Sequence, residues 1–277
     1  MGAPMARHLA QAGHDLIVFN RSSEKAHIWV ASHGGKVAAT PAEGARSAEY
    51  VIACVGCDED VEAITLGADG AFAAMREGAL FIDHTTVSPG LARRLAQAGE
   101  ERRLQIVDAP ISGGQAGAEQ GTLAIMCGGS DEALAAADPI LSCYGRKIVH
   151  VGPAGHGQAA KLANQLCIAG TVQGLAEAVH FARAAGLDLD KVLEALSGGA
   201  AASWQMANRW PTMAKGEFDF GFAVDWMRKD LGLALEEARA NKARLPLAAL
   251  VDQFYADLQA IGAGRQDTSA LLRRFEV

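Results

Sequence analysis

A chain of 277 residues, 50% hydrophobic and 21% charged, has ordinary globular composition and enough length for about two domains. With 31 Gly and 8 Pro in no regular period, collagen-like and mucin-like classes fall away, and bulk disorder is excluded by the apolar content. The net charge is −7, with 12 Lys+Arg against 18 Asp+Glu in residues 1–150 and 13 against 14 in the rest, so neither half is a basic nucleic-acid surface.

The sequence predicts a helix over 1–12, with Pro4 in the first turn where a missing N–H costs nothing. Residues 16–19, Leu-Ile-Val-Phe, form a continuous apolar run expected of a strand buried on both faces. Helices follow over 23–33 and 41–48, then a strand over 50–54, a helix over 60–64 and a strand over 80–83. A helix over 88–102 starts at Pro89. Strands are expected over 105–108, 123–126 and 147–151, with a helix over 131–141 before the last. Alternating helices and apolar strands predict a mostly parallel sheet covered by helices. From Gly157 onward no strand is expected. Helical periods run over 158–185, 190–196, 224–242 and 246–261. Gly152-Pro153 and Gly155 mark the boundary, so residues 1–152 are expected as an α/β domain and 153–277 as an all-helical one. The first long stretch, about 28 residues, would run ~42 Å at 1.5 Å per residue.

No apolar run reaches the ~18 residues needed to cross a bilayer. The segment Met1-Gly2-Ala3-Pro4-Met5-Ala6-Arg7 has no signal-peptide core. A cytoplasmic protein without membrane or nucleic-acid partners is expected. Five scattered cysteines are no disulfide framework. Cys54-x-x-Cys57 follows a strand and lacks a second ligand pair, so packing is expected there and no metal site.

Four segments carry chemistry. Gly2, opening the first helix, and Asn20-Arg21-Ser22, closing the next strand, have the spacing of a dinucleotide fold, in which a late fingerprint glycine precedes by roughly 20 residues the side chain that reads the ribose 2′ position. Arg21 offers a guanidinium fork to a 2′-phosphate, so the residues favour NADP over NAD, with NAD the alternative. An arginine after a strand is otherwise an ordinary solvated residue. Asp108-Ala-Pro-Ile-Ser-Gly-Gly114 sets Ser112 and glycine N–H groups where they suit a substrate carboxylate or phosphate, or form a plain turn. Lys161 and Asn164, three apart on one helical face, interrupt an apolar run. A lysine there must pair, snorkel or give up its proton more easily than in water, which suits acid–base work. Asp225 and Lys229 form an i,i+4 pair of the helix-supporting kind.

Together these segments resemble the β-hydroxyacid dehydrogenases, which include 3-hydroxyisobutyrate dehydrogenase, tartronate semialdehyde reductase and glyoxylate/succinic semialdehyde reductases. The resemblance covers the whole chain in order. It implies an α/β Rossmann-type doubly wound domain followed by an all-α domain, with the active site in the cleft between. It implies Lys161 as catalytic lysine and Asn164 as its neighbouring asparagine. Ser112, Gly113 and Gly114 match the substrate carboxylate loop. Thr86 matches a threonine near the nicotinamide, Lys229 a cofactor-contacting lysine, and Asn20-Arg21-Ser22 the NADP-preferring members. The expected reaction is hydride transfer between NADP(H) and a small carboxylate-bearing aldehyde or hydroxyacid, in a homodimer or homotetramer. An imine reductase or a non-catalytic NADP-binding module are the alternatives. Three departures stand out. Gln165 replaces a second asparagine, Asp225 and Trp226 give an unusual polar and aromatic segment expected to shape substrate choice, and the fingerprint's first strand and G-x-G-x would lie upstream of Met1.

Overall fold

The computed structural model describes residues 1–275. The chain divides into two compact units, Met1–Lys161 and Leu162 onward.

In the first unit the order is α1 (Gly2–Gln11), β1 (Ile17–Val18), α2 (Ser23–His33), β2 (Lys36–Val37), α3 (Pro41–Ala45), β3 (Tyr50–Ala53), α4 (Asp58–Thr65), β4 (Leu80–Asp83), α5 (Pro89–Glu100), β5 (Gln105–Asp108), β6 (Ile111–Ser112), α6 (Gly114–Gln120), β7 (Leu123–Gly128), α7 (Asp131–Leu141) and β8 (Gly145–Gly152). Strands β3, β4 and β5 are parallel, with Tyr50 opposite Leu80 and Leu80 opposite Gln105. β7 is antiparallel to β5 and β6 and parallel to β8, so the pairing is mostly parallel, as expected, with antiparallel contacts confined to β7. The apolar strands β4 and β5 alternate between two cores. Leu80, Ile82 and Val107 face one, and Phe81 with Ile106 the other, as the period of two requires. This burial on both faces explains the continuous apolar runs.

The 16–19 run behaves differently from its expectation. Only Ile17 and Val18 form strand β1, which pairs with β2 alone in a separate parallel ribbon. Ile17 is 40% exposed. Leu16, Val18 and Phe19 are half-buried, so no residue of the run is covered on all sides as the expectation required. The strands β2 and β6, two residues each, are too short to show a period in the sequence.

Helix α8 (His156–Ala184) is continuous for 29 residues. The unit boundary falls inside it, past the 152–156 loop where composition changes. The second unit adds α9 (Leu189–Ser197), α10 (Trp204–Lys215), α11 (Val224–Asn241), α12 (Pro246–Ala260) and a closing 3-10 segment, Thr268–Phe275. Among the described residues past 152, the single β feature is a bridge between Ala223 and Asp267. α10 lies outside the expected helices, since Pro211 sits inside it and a proline ordinarily interrupts a helix. Its fully buried Trp210 donates Nε1–H to Leu189 O at 3.0 Å and packs with Met213, Met227 and Tyr255. Burying each such side chain contributes about 1.5–3 kcal/mol. No helix among the described residues is long and apolar enough to cross a membrane.

Candidate active site

The first unit holds the start of α8 with unusual tightness. Asp108, the last residue of β5, is buried. Its carboxylate accepts from Gly155 N at 2.8 Å and Gln158 N at 2.9 Å, satisfying two N–H groups that a helix start leaves open. Burial raises the Asp108 carboxyl, and the Gly155 and Gln158 N–H groups pull it back down. Gly157 is required here: a Cβ on it would stand 2.7 Å from Asp108 O and 2.8 Å from its Oδ2. One residue on, the Gln158 side chain is fully buried. Its Nε2 donates to Thr85 O at 2.7 Å, and its Oε1 accepts from Val87 N at 3.1 Å. Lys161 is three residues further along the same helix and 7% exposed.

The loop after β4 is fixed from several sides. Thr85 N donates to Asp83 Oδ1 at 2.9 Å, and Val55 N donates to Thr85 Oγ1 at 3.0 Å. Ser88 caps α5 and also donates to Asp58. Thr86 is half-buried between buried Thr85 and Val87, so it faces away from them. Burial pushes the Asp83 carboxyl up to about 7, opposed by the Thr85 hydrogen bonds. His84 is fully enclosed, and burial pushes it down to about 4. Its Nδ1 lies 2.6 Å from Ala109 O and its Nε2 2.9 Å from Tyr144 Oη. A carbonyl only accepts, so Nδ1 carries the proton and Tyr144 donates to Nε2.

Ser112 ends β6 opposite Ala124 of β7 and is half-buried, followed by exposed Gly113 and Gly114. These glycines have φ of 130° and 63°, conformations that side chains rarely adopt. α1 is tied to the helix after them, because Arg7 and His8 both bond to Glu119 O.

At the start of α1, Gly2 lies beside Cys54: a Cβ there would meet Cys54 Cβ at 3.4 Å, an ordinary contact, so the packing does not itself demand glycine. Asn20 donates to Ser22 O at 3.0 Å, and all of Asn20, Arg21 and Ser22 are exposed at the C-terminal end of β1. Arg21 is paired with Asp60 at 2.9 Å. Open strand ends of this kind receive the ribose in dinucleotide folds, and the exposed guanidinium, amide and hydroxyl fit that group. Cys57 directly precedes α4. Burial raises its thiol and pushes Cys54 up to about 11, the reverse of an activated thiolate.

In the second unit, Asn164 donates Nδ2–H to Gln165 Oε1 at 2.8 Å, and Gln165 donates Nε2–H to Asp230 Oδ2 at 2.7 Å. Lys229 Nζ stands 3.1 Å from Asp230 Oδ1. Gln165 and Asp230 are buried, Asn164 and Lys229 half-buried. Asp225 accepts from Gln259 at 2.6 Å, so it belongs to a packing network with α12, while Trp226 remains 38% exposed.

The structure therefore brings the Thr86 loop and the Lys161 turn together through Gln158, and Asn164 and Lys229 together through Gln165 and Asp230. Ser112–Gly114 and Gly2 with Asn20–Ser22 stand at separate strand and helix ends. Sequence reading misses Gln158, Asp230, His84 and Asp60 as contributors. The one available signal is at Gln165, a polar residue inside an apolar helical run; Gln158 and Asp230 sit among polar or charged neighbours that hide them.

Residues 1–152 match the family described as the NAD binding domain of 6-phosphogluconate dehydrogenase. Residues 155–275 match that described as the NAD-binding domain of NADP-dependent 3-hydroxyisobutyrate dehydrogenase. An uncharacterized oxidoreductase of Shewanella frigidimarina is 52% identical over 100% of this chain and 95% of its own. The NAD-dependent L-serine dehydrogenase of Pseudomonas aeruginosa is 36% identical over 100% of this chain and 95% of its own. The solved structure of Mycobacterium tuberculosis 3-hydroxyisobutyrate dehydrogenase with L-serine has a TM-score of 0.90 at 33% identity, covering 100% of this chain and 96% of that one. The fold is thus a Rossmann-type NAD(P)-binding domain plus a helical domain, and the chain belongs to the 3-hydroxyisobutyrate dehydrogenase family of NAD(P)-dependent oxidoreductases.

Proposed function

We propose that this protein transfers hydride reversibly between NADP(H) and a small β-hydroxyacid or semialdehyde, with Lys161 as general acid–base. The observation that carries the reading is a lysine 7% exposed on a helix whose first turn is locked by Asp108 and Gln158.

The bound nicotinamide supplies the hydride chemistry. In the oxidative direction Lys161 Nζ takes the hydroxyl proton as the carbonyl forms, and in the reductive direction it returns that proton to the alkoxide oxygen. Asn164, held through Gln165, orients substrate beside it. Ser112 Oγ and the Gly113 and Gly114 N–H groups anchor the carboxylate, with the glycine φ values leaving those groups unhindered. Thr86 and Lys229 contact the cofactor, Gly2 holds the place of the late fingerprint glycine beside it, and Asn20, Arg21 and Ser22 read the 2′-phosphate. The domain boundary is assigned to 152/153, and the helical domain is assigned the oligomer contacts of a dimer or tetramer in the cytoplasm.

The test is an assay of succinic, tartronate and methylmalonate semialdehydes, glyoxylate, L-serine and a cyclic imine with NADPH or NADH, or their oxidised forms for L-serine. Turnover of a carboxylate-bearing aldehyde or hydroxyacid, best with the phosphorylated cofactor, is expected. Activity on the imine alone, or on none, contradicts the reading. L-serine enters the panel because a relative of similar length is an NAD-dependent L-serine dehydrogenase.

A further inference from the structure

We propose that Gln158 is a positioning residue for hydride transfer, its side-chain amide setting the backbone on both sides of Thr86 while its own helix turn sets Lys161. This rests on the roles of Thr86 and Lys161 given above.

The geometry is specific to an amide. Gln158 Nε2 donates to Thr85 O and Gln158 Oε1 accepts from Val87 N. The side chain thus meets the loop as a neighbouring strand would, pairing residues two apart and leaving Thr86 between them to face the other way. Thr85 and Val87 are buried and Thr86 is half-exposed. One planar group must be donor and acceptor at once, which glutamine supplies and an ionised glutamate or a leucine does not. The other end of the residue is equally fixed, since its main-chain N–H is held by the buried Asp108 carboxylate. Both ends being fixed, the helix start cannot shift without moving the Thr85–Val87 backbone. Lys161, three residues on, lies on the neighbouring position of the same helix face. The threonine assigned to the cofactor and the lysine assigned to the proton are therefore held in one register by one side chain. A displacement of the order of 1 Å at such a site costs about 10²-fold in rate.

The informative variant is Gln158→Glu, because its two protonation states differ in the feature at issue. When protonated, the introduced carboxyl keeps both bonds, its O–H donating to Thr85 O and its carbonyl accepting from Val87 N. When ionised, it sets a second acceptor against Thr85 O. Burial and the nearby carboxylates Asp83, Asp108 and Asp58 favour the protonated form, while Lys161 and a protonated His156 oppose this. The ratio of variant to wild-type kcat is expected to approach one at low pH and to fall by ~10–100-fold at higher pH. NADPH affinity, read by fluorescence titration, is expected to fall less than kcat, because Thr86 is one of several assigned cofactor contacts and Asn20–Ser22 and Lys229 are untouched. Gln158→Leu is expected to lose kcat at all pH values. A pH-independent kcat ratio near one for folded Gln158→Glu overturns the proposal, as does full kcat in Gln158→Leu. If Gln158→Leu fails to fold, the Gln158→Glu pH profile decides alone. Lys161→Ala run alongside separates the failures. If it stays active, the functional reading is wrong; if it is inactive while Gln158→Glu is unaffected, only the positioning role is wrong.

Discussion

The two units hold their buried polar groups in different ways. In the first, the partners are mostly main-chain groups. Asp108 accepts two N–H groups, Gln158 spans a C=O and an N–H, and His84 donates to a C=O. In the helical unit Asp267 and Trp210 still bond to main-chain groups, but along α8, α11 and α12, where the helices have used their own main-chain groups, side chains meet side chains: Asn164 with Gln165, Gln165 with Asp230, Asp230 with Lys229, Arg228 with Asp252 and Gln259. A main-chain partner cannot be mutated away and fixes polarity. A side-chain relay depends on each member's identity and carries polarity from one residue to the next. Asp230 only accepts, so Gln165 must present its NH₂ to it, and its oxygen then faces Asn164.

The sharpest break of that contrast is Asp230→Ala. It takes the acceptor from Gln165 and the neighbouring carboxylate from Lys229, and stability should fall by about 3–5 kcal/mol, measured by chemical denaturation. Asp230→Asn should rescue poorly because the new amide no longer dictates Gln165's orientation. Near-wild-type stability in Asp230→Ala would show that the relay contributes little.

The first unit predicts a pH effect of comparable size. Asp83 is raised from 3.8 to about 7, so the native state keeps its proton where the unfolded chain has lost it. Stability from this group is complete below pH ~4 and is lost as pH rises to about 7, on the order of 4 kcal/mol. Asp83→Asn should therefore gain stability relative to wild type across that window and then level off. His84 has the opposite slope between about 4 and 6.5, but it is present in both proteins and cancels in the difference. Parallel stability–pH curves would contradict the assignment. Next in size, Asp108→Ala should cost about 2–3 kcal/mol by leaving two N–H groups without their acceptor. Asp108→Asn should recover part of this through one remaining oxygen, unlike the Asp230 case. Equal losses in Asp108→Ala and Asp108→Asn would remove the distinction between the units. The smallest effect belongs to the exposed Arg21–Asp60 pair. Arg21→Ala should raise KM for NADPH roughly tenfold, the size of one charge-assisted contact of about 1.5 kcal/mol, and change KM for NADH much less. Equal changes would speak against 2′-phosphate recognition.

This contrast also explains what the sequence reveals. Strand β4 is legible because burial on both faces writes a continuous apolar run, and β3 and β5 beside it carry the same signal although they are only partly buried. The 16–19 run carries the same signature yet forms an exposed ribbon, since what lies beside a strand is not encoded in the strand. Lys161 and Ser112 are legible as motif positions. Gln165 stands out only as a departure from the motif and Gln158 not at all, because their partners Thr85, Val87 and Asp230 lie 65 to 73 residues away and only the fold brings them together. α10 is hidden by Pro211, which packing tolerates inside the helix.

The most direct test is turnover of Lys161→Ala with the best aldehyde of the panel and NADPH, alongside a binding titration of the cofactor. A kcat lower by ~10²–10⁴-fold with unchanged NADPH affinity is the predicted result for a lost general acid. A kcat within a few-fold of wild type would contradict the account.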